Sequence, residues 1–221
     1  MPASASVPTD DVAPPFGAES HRRRLLDAAE EVFAARGYSG ATTREIANRA
    51  GLAKRMLFYY FPNKEALYRG VLDRWASNMI ALHERFRGEP GPIGLAEVVE
   101  GITFFAAANL SALKVVSREI MDGGAYLPEL ARNLLRPLFA RGGEEVARNM
   151  ANGVFRHGDP MHVMVSVGGV TLFYFLIQPL LALVWERDAL APETLAERAA
   201  HARDCLMHGL AGPATQGGRP S

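Results

Sequence analysis

Apolar residues recur along most of the chain at the three- and four-residue spacing of an amphipathic helix. The first such run extends from about Glu19 to Arg36 with Leu25 and Phe33 on one face, and Gly37 then ends it in the left-handed conformation that favours glycine. Alternation of apolar and polar residues, which is typical of strands, never extends beyond a few positions. The pattern therefore predicts an all-α fold.

The next segment has the signals of two short helices joined by a tight turn. Thr42 begins the first helix, because its hydroxyl can accept the backbone N–H of Glu45 while the Glu45 carboxylate reaches back to Thr42. Gly51 ends this helix, and the second one carries an apolar run from Met56 to Phe61. Two short helices around a glycine turn are typical of a helix-turn-helix.

A longer helix follows this pair. Asn63 can cap it, and it extends from Lys64 to about Arg87 with an apolar stripe that includes Trp75 and Met79. Glycine and proline divide the remainder into further helical segments, near residues 94–108, 110–122, 128–151, 160–185 and 192–210. We therefore predict a three-helix N-terminal domain that helix 4 joins to a larger helical bundle.

Composition suggests where the domains begin and end. Residues 1–18 and 212–221 are rich in Ala, Pro, Ser and Gly without helical periodicity, and we expect both to be flexible tails. Between them we expect a helix-turn-helix domain at residues 19–66 and a larger domain at residues 67–211. Two domains also suit a chain of 221 residues.

Charge is distributed unevenly along the chain. The whole chain has 24 Lys and Arg against 24 Asp and Glu, but residues 19–74 hold eleven Lys and Arg against seven Asp and Glu, a net of +4. The helical pattern leaves Lys54, Arg55, Phe58 and Tyr59 outward on the second short helix, near the end that helix-turn-helix proteins present to base edges. A basic N-terminal domain with such a helix indicates DNA binding.

Residues 37–67 read GYSGATTREIANRAGLAKRMLFYYFPNKEAL and closely resemble the tetracycline-repressor (TetR) family of transcriptional regulators. The match combines the TTREIA helix start, the Ala50-Gly51 turn, the aromatic run from Phe58 to Phe61, and Lys64 three residues later. With helix 1 it covers about residues 20–70. The remainder resembles the family only in the number and length of its helices.

The resemblance implies a DNA-contact role for a set of residues in this segment. Those that match base-contacting residues of the family are Arg44, Lys54, Arg55 and Phe58. Those that match phosphate-contacting residues are Thr43, Tyr59, Tyr60 and Lys64, and Thr42 completes the candidate set. The alternatives are solvated surface charges at Arg44 and Lys64, and packing inside the domain for the aromatic rings. Relatives often carry serine and tyrosine where this chain has Ala53 and Phe58, which weakens a helix cap and removes one hydroxyl.

The resemblance also implies a homodimer formed by the last two long helices and an effector pocket among the middle helices. Apolar residues with scattered polar tips could line this pocket, namely Trp75, Met79, Phe104, Phe105, Met121, Phe173, Tyr174 and Gln178. Ordinary core packing is the alternative for each of them. Gly168-Gly169 and a helix kink at Pro179 suit either a crowded interface or pocket wall, or local packing.

Several other classes of protein are disfavoured. The single cysteine, Cys205, and the lack of a signal-peptide pattern favour a reducing cytoplasm. Residues 161–185 carry no charge, but Gln178, Pro179 and the unbiased flanks favour a helix buried in a core and a dimer interface over a membrane span. The histidines lack Glu or Cys partners at ligand spacing, so we expect no metal and no cofactor.

The function expected from these observations is transcriptional repression. A homodimer would bind a palindromic operator and be released by a small, largely apolar effector. One alternative is an enzyme built on a helical bundle, for which the sequence offers no nucleophile elbow, phosphate loop or paired acid and base. The other is a DNA-binding protein that uses no ligand, against which an enclosed pocket in the larger domain would count.

Overall fold

The computed structural model describes residues 18–85 and 91–210, and the regular elements in them are helical, so the predicted all-α fold is confirmed. Both predicted tails, apart from residue 18, and the predicted end of helix 4 near Arg87 lie outside the described residues. The elements are α1 (Ala18–Gly40), α2 (Thr43–Arg49), α3 (Lys54–Tyr60), α4 (Lys64–Arg85), α5 (Gly91–Ala108), α6 (Leu110–Met121), α7 (Leu127–Leu130), a π-helical turn (Ala131–Leu135), α8 (Arg136–Ala151), α9 (Pro160–Leu176), α10 (Gln178–Val184) and α11 (Pro192–Leu210).

Short-range signals set the end of α1 and the start of α2. Gly37 has φ 70° and ψ 175°, so its φ is positive and favours glycine, but its ψ differs from that of the predicted left-handed cap. The helix is kinked at Gly37 and ends at Gly40. Thr42 Oγ1 accepts the backbone N–H of Glu45 at 3.1 Å, as predicted. The Glu45 carboxylate instead faces Nε of Arg36 at 3.7 Å, so only half of the predicted capping box forms.

Helix α4 belongs to both domains. Asn63 Oδ1 caps it by accepting the backbone N–H of Ala66 at 2.7 Å, which confirms the predicted start. Its buried face includes Trp75 and Met79, as the stripe predicts. The helix packs against α1 on the DNA-binding side and against α6 and the π-helical turn on the other. One continuous apolar core therefore extends from α1 to α11.

Two of the predicted helices are interrupted in the structure. The segment predicted at residues 128–151 is divided into α7, the π-helical turn and α8. The segment predicted at residues 160–185 breaks at Ile177, and α9 and α10 are bent by 58°. Pro179 is the second residue of α10, where its missing N–H costs no helical hydrogen bond. Proline therefore lies in the first turn of a new helix instead of kinking a continuous one.

The apolar segment on α9 and α10, which the sequence predicts to be buried in a core and a dimer interface, is partly exposed in the single chain. Phe173, Leu180 and Leu183 are 58%, 57% and 82% exposed. None of the described helices is by itself long and apolar enough to cross a bilayer, and two bent pairs, α5 with α6 and α9 with α10, reach that length and composition only in combination.

The larger domain has a second apolar cluster beside the continuous core. It is formed by α5, α8, α9 and α11, with Val99 and Ala202 fully buried at its centre. Helix α5 packs against both α11 and α9, and α8 packs against α9. The space left between these helices and α4 is the cavity described below.

Candidate nucleic-acid interface and effector cavity

Helix α3 has one buried side and one exposed side. Leu57 is fully buried in the same core cluster as Ala47 of α2, so it holds the short helix against its neighbours. On the opposite side Lys54 and Arg55 are exposed, and the rings of Phe58 and Tyr59 are 42% and 70% exposed. The outward face predicted from the helical pattern is therefore confirmed.

The turn between α2 and α3 is held from behind by α1. Gly51 has φ 64°, a conformation that side chains other than glycine rarely adopt. Arg24 of α1 donates a hydrogen bond of 2.6 Å to the carbonyl of Ala50, and a Cβ on Gly51 would lie 2.9 Å from the Arg24 Nη2. Glycine is thus needed here for its backbone conformation, and its missing Cβ also leaves room for the Arg24 guanidinium. No sequence signal singled out Arg24, because its partner lies 26 residues away.

Ion pairs connect the helices of the small domain. Arg49 of α2 pairs with Glu31 of α1, and Arg74 of α4 pairs with both Glu30 and Asp27 of α1. Burial raises the pKa of Glu30, while the neighbouring Arg74 acts in the opposite direction. The exposed Arg49–Glu31 pair contributes about 0–1 kcal/mol, whereas Arg74–Glu30 is largely buried; together these pairs fix how α2 and α4 lie on α1.

Three of the predicted base-contacting side chains carry charge that nothing in the described chain neutralises. Arg44, Lys54 and Arg55 are exposed and form no ion pair among the described residues. The Lys54 Nζ lies 5.5 Å from the centroid of the Phe58 ring, and the Lys54 side chain is exposed to solvent. Positive charge is therefore concentrated on the outward face of α2 and α3, where phosphates would be attracted.

Other members of the candidate DNA-binding set are partly engaged inside the domain. The Thr42 hydroxyl caps α2, and Thr43 is half-buried. The Tyr60 ring is half-buried and meets the Tyr59 ring edge to face at 5.0 Å. Ala53 occupies the N-cap position of α3 and makes no side-chain hydrogen bond there, in agreement with the weaker cap expected without serine.

Lys64 has partners that the sequence did not reveal. Its Nζ donates to the backbone carbonyls of Tyr38 at 2.9 Å and Ala41 at 3.1 Å, and it lies 4.5 Å from the centroid of the Tyr38 ring. These contacts tie the start of α4 to the turn between α1 and α2. Lys64 therefore braces the small domain, whatever its contact with DNA.

A cavity of approximately 680 Å³ lies between α4, α5, α8 and α9. Its volume falls within the range of about 300–1,000 Å³ that holds small-molecule ligands. The wall is mainly apolar, with contributions from Val98, Ile102, Leu138, Phe139, Leu172 and Leu176. Gly168 and Gly169 also line it, and a Cβ on either would meet nothing within 4 Å, so both glycines border open space.

The structure brings only part of the predicted ligand-binding set to this cavity. Trp75 and Met79 of α4 and Phe173 of α9 line it. The other five residues do not belong to its wall, namely Phe104, Phe105, Met121, Tyr174 and Gln178. Tyr174, for example, is buried and donates its hydroxyl to the carbonyl of Ala189 at 2.7 Å, so it belongs to the core.

Three polar residues of the wall were missed by the sequence reasoning. They are His83 at the end of α4, and Glu145 and Asn149 on α8. The His83 Nε2 is buried and has no hydrogen-bond partner among the described residues. A usable signal existed for His83, because it lies one turn beyond Met79 on the apolar stripe of α4.

A junction between the two domains lies at the end of α6. Arg118 donates to the carbonyl of Phe33 in α1 at 3.2 Å. Glu119 is 6% exposed and accepts hydrogen bonds from the Tyr68 hydroxyl at 2.9 Å and the Tyr126 backbone N–H at 2.7 Å. Arg118 and Glu119 therefore both serve as hydrogen-bonding groups between elements of the two domains.

The lone cysteine and the histidines form no ligand cluster. Cys205 is exposed, with its Sγ 3.5 Å from the Nε2 of His201. Within residues 18–85 and 91–210, no group of three or more His, Cys, Asp or Glu side chains could hold a metal ion.

An all-helical chain with an N-terminal helix-turn-helix, an exposed basic recognition face and a second helical domain defines a DNA-binding transcriptional regulator. Family models agree with this class. Residues 25–71 match the model of bacterial regulatory proteins of the tetR family, and residues 93–206 match the model of the tetracyclin repressor-like C-terminal domain. The chain belongs to the tetracycline-repressor family of transcriptional regulators, which are not enzymes.

Named relatives are regulators of the same kind. The chain is 28% identical over 160 residues to the HTH-type transcriptional regulator RutR of Escherichia coli (strain K12). The aligned region covers 69% of this chain and 73% of RutR. It is 39% identical over 115 residues to an HTH-type transcriptional repressor of Rhodococcus jostii (strain RHA1). That alignment covers 52% of this chain and 48% of the repressor.

Solved structures share the fold. A putative transcriptional regulator from Streptomyces coelicolor matches with a TM-score of 0.69 at 21% identity, over 87% of this chain and 99% of that one. FadR from Bacillus subtilis, solved in complex with stearoyl-CoA, matches with a TM-score of 0.68 at 18% identity, over 85% of this chain and 98% of that one. At these identities the likeness shows the fold alone.

Proposed function

We propose that this regulator represses transcription as a homodimer that binds a palindromic operator and leaves it when a small, largely apolar effector enters the cavity. The course of α4 is the observation that carries the proposal. This helix begins at Lys64, four residues after the end of α3, and its Trp75, Met79 and His83 line the cavity. One rigid element therefore extends from the DNA-binding face to the effector cavity.

The DNA contacts proposed here come from α2, α3 and the start of α4. Bases would be read by Arg44, Lys54, Arg55 and Phe58, and phosphates would be bound by Thr42, Thr43, Tyr59, Tyr60 and Lys64. The unpaired charges on Arg44, Lys54 and Arg55 support this assignment, since arginine and lysine favour the O6 and N7 atoms of guanine. The exposed edge of Phe58 suits a thymine methyl group.

A dimer is supported by the apolar surface on α9 and α10. Phe173 on α9 and Leu180, Leu183 and Val184 on α10 are exposed, the last three at the spacing of one helix face, and exposed apolar patches mark sites of association. We propose that a second copy covers this surface, with α11 completing the interface. Two-fold symmetry would then place two recognition helices about one DNA turn apart, which accounts for a palindromic operator.

The effector is proposed from the cavity itself. Its size and apolar wall suit a small apolar molecule, and its presence counts against a regulator that uses no ligand. The stearoyl-CoA complex of the structural neighbour FadR adds that this fold can accommodate a ligand with a long apolar chain. As a regulator that must reach operator DNA, the protein would act in the cytoplasm.

Switching would depend on two positions of α4. An effector that fits the cavity better in the non-binding form shifts the equilibrium toward that form by its difference in affinity. Coupling of this kind typically amounts to about 1–3 kcal/mol. A shift of α4 would change the spacing of the two recognition helices, so that they no longer match successive major grooves.

Selection of bound DNA from a random pool, repeated with candidate ligands, tests this function. We expect an enriched palindromic site whose half-sites are about one DNA turn apart, and loss of binding when an effector is present. An enriched site without two-fold symmetry would contradict the proposed dimer. Enrichment unchanged by any ligand that occupies the cavity would contradict the proposed switch.

A further inference from the structure

We propose that the cavity takes an apolar molecule that carries a protonated amine, and that Glu145 provides the counter-charge for the amine. This inference rests on the proposed function of the cavity as the effector site. It goes further by naming the head group, which the apolar wall alone does not specify. The observation that carries it is a set of three polar residues, His83, Glu145 and Asn149, in the mainly apolar wall of the cavity.

The polar groups lie together because of helix geometry. Gly142, Glu145 and Asn149 of α8 are spaced three and four residues apart, so they share the face of α8 that lines the cavity. A Cβ on Gly142 would lie 3.6 Å from the Cε1 of His83, so the end of α4 lies against this same face. The end of α4 that carries His83 and the face of α8 that carries Glu145 and Asn149 therefore lie against each other at Gly142 and line the same cavity.

Each of these groups presents an acceptor. The Glu145 carboxylate has no hydrogen bond or ion pair among the described residues, and Arg141, one turn before it, is paired with Glu84. Asn149 donates from its Nδ2 to the backbone carbonyl of Glu145 at 3.1 Å, which leaves its Oδ1 as an acceptor. The buried Nε2 of His83 is unpartnered and accepts when the ring carries its proton on Nδ1.

A protonated amine is the head group that satisfies this set. An alkylammonium has three N–H donors and a positive charge, as the lysine side chain does. A carboxylate in an apolar cavity is costly unless it is paired, and the amine would pair it. A ligand carboxylate would instead be repelled by Glu145, and a hydroxyl would donate one hydrogen bond but bring no counter-charge. Alkylamines resemble lysine in their pKa of about 10.4, so they are protonated at neutral pH.

Three probes with the same ten-carbon chain test the head group. Decylamine, decanol and decanoic acid are titrated into the full-length protein below their micelle concentrations, with calorimetry and with the fluorescence of Trp75 as readouts. The Trp185→Phe background makes the Trp75 signal specific. We expect decylamine to bind at least about tenfold more tightly than the other two probes, because only its head group carries a positive charge that pairs with Glu145.

Two matched variants locate the amine. Glu145→Gln should weaken decylamine at least about tenfold and leave decanol unchanged, since it removes charge and keeps the size of the side chain. Glu144→Gln makes the same change one residue earlier, at an exposed position outside the cavity wall, and should leave all three affinities unchanged. Equal affinity for the three probes, or decylamine affinity unchanged in Glu145→Gln, overturns the proposal.

A third variant separates this inference from the proposed function. Gly168→Leu would extend into the open cavity, because a Cβ there meets no atom within 4 Å, and it should abolish binding of decanol and decylamine alike. If that variant abolishes binding but decylamine has no advantage over decanol, only the amine proposal fails. If decanol binding survives Gly168→Leu, or if none of the three probes binds, the cavity is not the effector site and both proposals fail.

Discussion

The hydroxyl of Tyr68 in α4 donates a hydrogen bond of 2.9 Å to the buried carboxylate of Glu119 in α6. Burial and this hydrogen bond raise the pKa of Tyr68, so the phenol stays protonated and remains a donor at physiological pH. The next residue, Ile120, lines the cavity, and the preceding one, Arg118, bonds to the carbonyl of Phe33 in α1. This pair therefore lies between the cavity and the DNA-binding domain.

The first prediction concerns this junction. Glu119→Ala should lower the free energy of unfolding by about 1–3 kcal/mol, because the Tyr68 hydroxyl and the Tyr126 N–H lose their acceptor. Tyr68→Phe should lower the free energy of unfolding by less, because Glu119 still accepts the hydrogen bond from the Tyr126 N–H. Urea unfolding of the two variants beside the unaltered protein measures both effects, and equal stability of all three would contradict a structural role for the buried carboxylate.

The second prediction concerns base recognition. Arg44→Ala and Lys54→Ala should each weaken binding to the selected operator by about 1–3 kcal/mol, as expected when a base contact is lost. Arg132→Ala, at an exposed position of the π-helical turn, is the control and should not change operator affinity. Fluorescence anisotropy with labelled operator measures the affinities. Unchanged binding in both DNA-face variants would show that this assignment of the motif is wrong.

The third prediction concerns Lys64. If it binds phosphate, Lys64→Ala should weaken binding to all DNA sequences and reduce the slope of log affinity against log salt by about one. The two hydrogen bonds to the carbonyls of Tyr38 and Ala41 predict a second effect, a loss of thermal stability. Salt titrations with operator and with unrelated DNA measure the effect on phosphate binding, and thermal unfolding measures the effect on stability. A stability loss with an unchanged salt slope would leave Lys64 as a brace only.

The fourth prediction concerns the dimer. Leu180→Glu or Leu183→Glu should give monomers, because a charge on the apolar surface of α10 would have to be buried without a partner. Met121→Glu introduces the same charge at a side chain that is 79% exposed on α6, and the protein should stay dimeric. Sedimentation at several concentrations measures the state of association. A monomeric unaltered protein with full operator affinity at nanomolar concentration would refute the dimer.

The fifth prediction follows from linkage. If an effector weakens operator binding by some factor, operator DNA must weaken effector binding by the same factor. Calorimetric titration of an identified effector, with and without saturating operator, measures this factor, which we expect to correspond to about 1–3 kcal/mol. Equal effector affinity in the two titrations would rule out release of the operator by an allosteric mechanism.

The parts of this protein that the sequence determines are those set by neighbouring residues. The Thr42 cap, the tight turn at Gly51 and the Asn63 cap each depend on atoms within a few positions along the chain, and each is found where the pattern predicts it. The outward face of α3 follows from the position of Leu57, because one buried residue fixes the rotation of a seven-residue helix about its axis. The helix-turn-helix and its exposed basic residues could therefore be predicted.

The rest is decided by how helices cross. The spacing of Phe104 and Phe105 on α5 does not show which face of that helix meets the cavity, and neither belongs to its wall. The arrest of α9 at Ile177 likewise had no local signal beyond the nearby proline.

Long-range contacts also decided the partners of individual side chains. Lys64 reaches carbonyls 23 and 26 residues away, and Tyr68 reaches a carboxylate 51 residues away. The meeting of His83 with the face of α8 that carries Glu145 has the same origin. Periodicity gives the apolar face of a helix but not the neighbour against which that face packs, since packing depends on the whole core.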